Sequence, residues 1–511
     1  MINSQNSFFL YSKFDCQVYK NIILLIISFN KQLTSLPYLD MYFCIVMRFI
    51  NNTFRSNRII IFFLVTIITS CETKTVCDST YFGGKIINPK SDHVVLFDNK
   101  IPLDTFYLNN DNSFLGEIPA LNEGLFYFKH GNEHQYVYLN PKDSLLIRLN
   151  TWNFDETLVF SGKGAEKNNL LIDSFIESEK DKKIFYSYYD LPPSEFIDKV
   201  TKIEETKLSI YHDYITNFAE STDKFNNVLK IALTYPLYSK VENYPLAHSA
   251  KINDEIHVDL TSNFYKHREI ISSEKDDLMF FYAYRDYIVS SLYNKAHSLG
   301  HDLTSDEFTI DLLNTTHEEL FDYENSRNDM LRKIFITHFY RNSSSDINQE
   351  IFNVYLKLST SLKDQTLAKN LILDSKKIKK GILLKDFKIT DYNKTKRSIK
   401  KLCKNKKTVL FFWNPEFLSK DFIATRIKNL SKKYSSLNFI GVKIIGDHND
   451  RIYKLDIKSQ YYLDEDSKAN LFLSSKLPRT ILIDEKGYVT NDYASLSSRK
   501  IFKQIELLAK K

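Results

Sequence analysis

The spacing of apolar residues changes character twice along the chain, near Gly164 and again near Lys377. Before the first change, Lys85–Ile87, His93–Phe97, Thr105–Leu108, Leu125–Lys129, Gln135–Leu139 and Leu145–Leu149 are short β-prone segments. Asn88-Pro89, Asn110-Asp111, Glu123-Gly124, His130-Gly131 and Asn140-Pro141 separate them with turn chemistry. The pattern predicts an antiparallel β-sandwich-like domain over residues 81–164. Between 165 and 377 the period becomes helical and glycine nearly disappears. Ile197, Val200, Leu208, Tyr211, Ile215 and Phe218 form one stripe behind Leu191-Pro192-Pro193, a helix-start signal. Phe225, Val228, Leu229, Ala232 and Leu233 form a second, expected to stop at Tyr235-Pro236. Leu278–Leu292, Leu331–Tyr340 and Ile351–Leu362 read the same way. A protease-sensitive linker at Asp374–Lys380 is expected to lead into an α/β domain over residues 378–511, opening with the strand Phe387–Thr390.

The most informative stretch lies in that last region. Val409 to Trp413 is continuously apolar, as a central strand covered on both faces must be. Asn414-Pro415 ends it. From Glu416 onward Phe422, Ile423, Ile427 and Leu430 fall at helical spacing among Lys420, Arg426 and Lys428. Further strands follow at Leu437–Ile445 and from Leu477-Pro478 to the turn at Gly487.

These motifs resemble the active-site segment, second strand and cis-proline strand of TlpA/ResA-type thioredoxin-fold lipoproteins of Gram-negative bacteria. The resemblance covers roughly the last quarter of the chain. It implies a thioredoxin-like fold and places the two cysteines of the family's Cys-x-x-Cys motif at Phe417 and Lys420. Neither is cysteine. Disulfide exchange needs a thiolate attacker favoured by a helix N-terminus, and Phe417 supplies no nucleophile, while a cation at Lys420 opposes the helix dipole. The resemblance also implies a groove beside Trp413, Leu477 and Pro478 where an extended peptide can pair with the backbone. Gly124–Phe128 and Tyr138–Ser144 are similar to the β-domain that often precedes the thioredoxin domain in such lipoproteins.

At the other end, Arg48, Arg55 and Arg58 precede an apolar run, Ile59–Ile68, too short to span a bilayer, and Ile68-Thr-Ser-Cys71 follows it directly. This resembles a bacterial lipoprotein signal peptide over residues 47–70. It implies lipidation of Cys71, a tether over 71–80, and a mature chain anchored in the cell envelope and facing the periplasm or exterior. Residues 1–46 are expected to be an upstream extension without stable fold.

Composition is that of globular material, with 43% hydrophobic and 14% aromatic residues in 511. A net charge of +6 gives no argument for nucleic acid. Five cysteines make no disulfide framework, and with Cys71 lipidated a Cys77–Cys403 bridge is the one intrachain possibility. Cys403 sits on a probable short helix, Ser398–Cys403, as a small apolar residue. His130, Glu133 and His134 have zinc-ligand chemistry but are accounted for by a hairpin loop, and His297 and His301 by a helix end at Leu299-Gly300. Gly162–Gly164 lacks the frame of a phosphate loop. The basic run Lys394–Lys407 reads as a solvated helix face. Tyr186–Tyr189 and Phe280–Tyr284 read as packing aromatics, with a groove lining as the alternative. No metal or other cofactor is called for.

The expected function is therefore an envelope lipoprotein with a redox-inactive thioredoxin-like domain that binds a peptide or envelope protein. The alternatives are a thiol oxidoreductase working through Cys403 or Cys77, and a structural scaffold. Replacing Cys71 by Ser should release the protein from the membrane fraction or block its processing, because stable anchoring without a spanning helix needs the acyl chains. Membrane fractionation of the variant checks this, and an unchanged bound species would mean an ordinary anchor.

Overall fold

The computed structural model describes residues 79–510 apart from 219–220, 253–259, 261 and 272–275. The expected signal peptide, Cys71 and Cys77 lie outside the described residues. No helix among the described residues is long and apolar enough to cross a membrane.

The first region is a sandwich of two four-stranded sheets. One has the order β4-β1-β7-β8 and the other β3-β2-β5-β6, with β1 Thr80–Ile87, β2 His93–Asp98, β3 Ile101–Tyr107, β4 Ser113–Ile118, β5 Gly124–His130, β6 Glu133–Leu139, β7 Ser144–Asn150 and β8 Val159–Lys163. The inner faces meet at rings such as Phe82 and Phe128, 5.8 Å apart. The sandwich is not purely antiparallel as expected, because β1 and β7 pair in parallel. The pattern also missed β4. Its Gly116 interrupts the apolar alternation because a Cβ there would lie 1.8 Å from the Phe106 ring packed over it.

Eight helices follow among the described residues: α1 Ala165–Tyr188, α2 Pro193–Asn217, α3 Asp223–Ile252, α4 Tyr282–His297, α5 Asp306–Glu319, α6 Glu324–Asn342, α7 Gln349–Leu358 and α8 Leu362–Lys377. Proline opens α2 as the sequence predicts, where its missing N–H is not needed. The expected stop at Pro236 does not occur, and α3 runs through Pro236 and Pro245. Each proline costs about 3 kcal/mol of helix stability. Leu237, Tyr238, Val241 and Tyr244 are all buried along this stretch, and each contributes about 2 kcal/mol by burial, which outweighs the two breaks.

The last region is built on a seven-stranded sheet of order β10-β9-β13-β12-β11-β14-β15. Its strands are β9 Lys388–Asp391, β10 Lys396–Ser398, β11 Thr408–Trp413, β12 Asn438–Lys443, β13 Gln460–Tyr462, β14 Arg479–Ile483 and β15 Val489–Ala494. The central strand β11 runs parallel to β12 and antiparallel to β14. All six of its residues are buried, as the unbroken apolar run requires. Val409, Phe411 and Trp413 face α10 Lys420–Lys433 and α11 Lys500–Lys510. Leu410 and Phe412 face the other layer, which includes Ile399 and Cys403 of the short α9, Ile399–Cys403.

The expected linker at Asp374–Lys380 is packed. Asp374 is fully buried inside α8, Ile378 is buried against the sheet, and the Lys380 N–H donates to Asp492 at 3.2 Å. One hydrophobic cluster joins Tyr136 and Tyr138 of the sandwich, the helices, and Leu477 and Tyr493 of the last sheet. The helical stripes, seen alone, point to a core of their own. Their outer faces are covered by both neighbours.

Within the helices, Glu242 on α3 is fully buried and holds a polar cluster together. Its carboxylate accepts from Arg268 at 2.8 and 2.6 Å, from His267 at 2.9 Å and from Asn294 at 2.7 Å. Burial alone raises its pKa, but the hydrogen bonds from Arg268 and His267 and the Arg268 charge outweigh it and pull the value down to about 2. A carboxyl depressed in the fold stabilises it fully above its ordinary 4.5, and this stabilisation is lost as pH falls toward about 2. Acid titration of unfolding should therefore show a loss on the order of 3 kcal/mol across that window, absent in Glu242→Gln, which is itself less stable at neutral pH.

Candidate functional site

The site to test is the C-terminal end of β11, where the chain turns into α10. Asn414 is buried and shapes the turn: its Nδ2 donates to the Lys476 carbonyl at 2.9 Å and its Oδ1 accepts from the Glu416 N–H at 3.0 Å. The Phe417 and Leu418 N–H groups both donate to the Asn414 carbonyl at 3.0 Å. Ser419 then caps the helix by accepting from the Phe422 N–H at 3.2 Å. The helix thus begins at Lys420, later than the spacing from Glu416 suggests, because Ser419 supplies the cap.

Phe417 lies in the turn ahead of the cap and is partly exposed, 39%. Lys420 is the first helical residue, and its ammonium pairs with the Asp450 carboxylate. Behind this pair sits Lys443, whose side chain is 1% exposed. Its Nζ donates to the carbonyls of Asp447 and Asp450, the latter at 2.6 Å, and burial pushes its pKa down. Tyr392 adds a bond to the Asp450 carbonyl at 3.2 Å. At the two positions that the resemblance aligns with the motif cysteines, the turn carries an aromatic ring and a lysine paired with an aspartate. Asp450 has no periodic signal in its loop. Lys443 does, as a lone charge in an otherwise apolar strand.

The residues expected to line a groove do not form an open one. Trp413 is 2% exposed and packs under α10, Leu477 is fully buried in the helical cluster, and Pro478 is buried. The Pro478 carbonyl accepts from the Tyr340 hydroxyl of α6 at 2.8 Å. No cis peptide bond occurs among the described residues, so the expected cis-proline is trans. Next to it, Arg479 is buried with its pKa pushed down by desolvation. It donates to the carbonyls of Asp492 at 2.8 Å, Asp374 at 2.9 Å and Phe472 at 3.0 Å. Its guanidinium lies 4.4 Å from the centre of the Tyr493 ring.

Cys403 is buried, and burial pushes its thiol up to about 11. It stands at the Thr408 end of β11, with the Lys406 N–H on its carbonyl at 3.0 Å. The turn with Phe417 is at the other end, roughly 17 Å away along the strand. His130 uses both ring nitrogens on backbone, Nδ1 to the His93 carbonyl at 3.0 Å and Nε2 from the Lys90 N–H at 2.9 Å, so it has none for a metal. Helix α4 ends at His297, and His301, beyond Gly300, bonds to Asp311 at 2.5 Å, so the two histidines share no helix face.

Strand β11 between a parallel β12 and an antiparallel β14–β15 hairpin, with α10 connecting β11 to β12, is the thioredoxin arrangement. The C-terminal fold is thioredoxin-like. Solved structures similar to part of the chain include a thiol:disulfide interchange protein DsbE from Chlorobium tepidum, 14% identical, with 26% of this chain and 99% of that one covered and a TM-score of 0.22. A thiol-disulfide oxidoreductase from Bacteroides vulgatus is 22% identical over 25% of this chain and 88% of its own, with a TM-score of 0.21. The thioredoxin domain of another such oxidoreductase from Bacteroides vulgatus is 18% identical over 26% and 99%, with a TM-score of 0.21. No protein-family model and no curated protein matches the chain.

The Arg479 junction yields a stability test. Arg479→Ala should cost at least about 3 kcal/mol in urea unfolding, because three buried carbonyls lose their donor. Arg479→Lys should recover little, since an ammonium cannot span the same acceptors.

Proposed function

We propose that this protein is a membrane-anchored envelope lipoprotein whose thioredoxin-like domain does not exchange disulfides and which acts by binding a peptide or protein partner. The observation that carries the redox part is the Lys420–Asp450 pair beside Phe417, a site with neither attacking nor resolving thiol. Anchoring rests on the sequence from Arg48 to Cys71. The oxidoreductase alternative works through Cys403 or Cys77; Cys77 lies outside the described residues, and burial raises the Cys403 thiol to about 11, which keeps it protonated at neutral pH. The covered Pro478 carbonyl supports a second reading for this domain alone, a platform on which the helices pack. Under that reading the partner binds elsewhere on the chain.

Wild-type protein should fail to reduce insulin with dithiothreitol above the uncatalysed rate, and Cys403→Ser should leave that result unchanged. Activity that disappears in Cys403→Ser would overturn the redox part. Phe417→Cys with Lys420→Cys should gain only weak exchange, because the Asp450 carboxylate would then face a thiolate instead of an ammonium. Adding Asp450→Asn should raise the rate further.

A further inference from the structure

Away from the β11 turn, a cleft of about 1210 Å3 opens between the sandwich and the helices. This exceeds the usual size of a small-molecule pocket. Its floor is the outer face of β2, β5 and β6. Cross-strand neighbours there place Phe97 beside Tyr127, Tyr127 beside Tyr136, and Lys129 beside His134. Phe97 and Tyr127 stack with ring centres 4.8 Å apart and planes within 2°. Phe280 closes the aromatic row at 6.2 Å from Tyr127. The sequence alternative of a groove lined by the Phe280 cluster thus has a counterpart. The opposite wall comes from α6 and the start of α8, with Met330, Lys333 and Lys363.

A sandwich face turned toward other elements would ordinarily be dry and apolar. This one combines half-buried rings with charge. Lys100 and Arg332 both pair with Asp329, and Arg332 also reaches Asp364. Lys129, Lys333 and Lys363 are exposed and have no carboxylate within ion-pair reach among the described residues, against one unpaired carboxylate on the lining, Asp277. The Arg285 and Lys129 charges, after burial, hold the His134 pKa below its ordinary value, as a positive local field requires. Three cations beside an aromatic row leave a deficit of negative charge that the described residues do not fill.

We infer that this cleft binds an acidic polypeptide segment, with carboxylates on Lys129, Lys333 and Lys363 and an aromatic or aliphatic side chain against Phe97, Tyr127 and Phe280. The inference rests on the binding part of the proposed function and names its site. It is independent of the redox part, which the insulin assay reads and the cleft variants do not touch.

The test uses the full chain and a fluorescently labelled random Glu/Tyr copolymer, followed by anisotropy. Binding should occur at low salt and weaken as salt rises from ~50 to ~500 mM. It should fall at least about tenfold in Lys129→Glu with Lys333→Glu. Tyr127→Ala should weaken the Glu/Tyr copolymer and leave the weaker binding of polyglutamate nearly unchanged. Thermal unfolding of each variant separates lost folding from lost binding, and the milder Lys129→Gln with Lys333→Gln should show a smaller loss in the same direction. Lys400→Glu with Lys401→Glu, on the basic run far from the cleft in sequence, should bind like wild type. Three results would overturn the proposal: no copolymer binding, loss on the basic run in place of the cleft, or tighter binding of an acidic polysaccharide such as polygalacturonate.

Discussion

The docking of α6 and α8 on the N-terminal end of β14 sets what the rest of the molecule can do. Tyr340 takes the Pro478 carbonyl, Arg479 reaches back to the Asp374 carbonyl, and the Phe339 ring meets Tyr493 edge-on at 4.9 Å. The first contact occupies a backbone carbonyl beside the proline, and the other two hold the helices against the same end of the sheet. A buried guanidinium held by carbonyls is also hard to release, since opening the junction would expose it and leave the acceptors unpaired. The helical region therefore covers the sheet as a permanent layer of the core.

The chemistry at the β11 turn is consistent with that closure. A dithiol site needs a low-pKa thiol, and its surroundings must favour the anion. Here Asp450 and the carbonyls of residues 447 and 450 are arranged around two ammonium groups, Lys420 and Lys443. The Lys420–Asp450 pair is partly exposed and contributes little stability by itself. Its consequence is electrostatic, because the acceptors of the turn are arranged to stabilise cations.

With that end of the sheet covered, the open cleft lies at the seam between sandwich and helices. There the outer sheet face carries aromatic and cationic residues at alternate positions, the period of a strand with one face turned to a partner. The same alternation places Phe126 and Phe128 in the sandwich core and Tyr127 and Lys129 on the cleft floor.

Much of this was legible in the chain. The unbroken run Val409–Trp413 read as a doubly covered strand and is one, and Ser398 and Ile399 announced α9. These are local facts, fixed by the chemical nature of residues close in sequence. The continuation of α3 through Pro236, the parallel pairing of β1 with β7, the burial of Asp374 and the covering of Pro478 by Tyr340 were not legible. Each depends on surfaces brought together from segments roughly 50 to 140 residues apart, and burial there outweighs the local preference that the sequence displays.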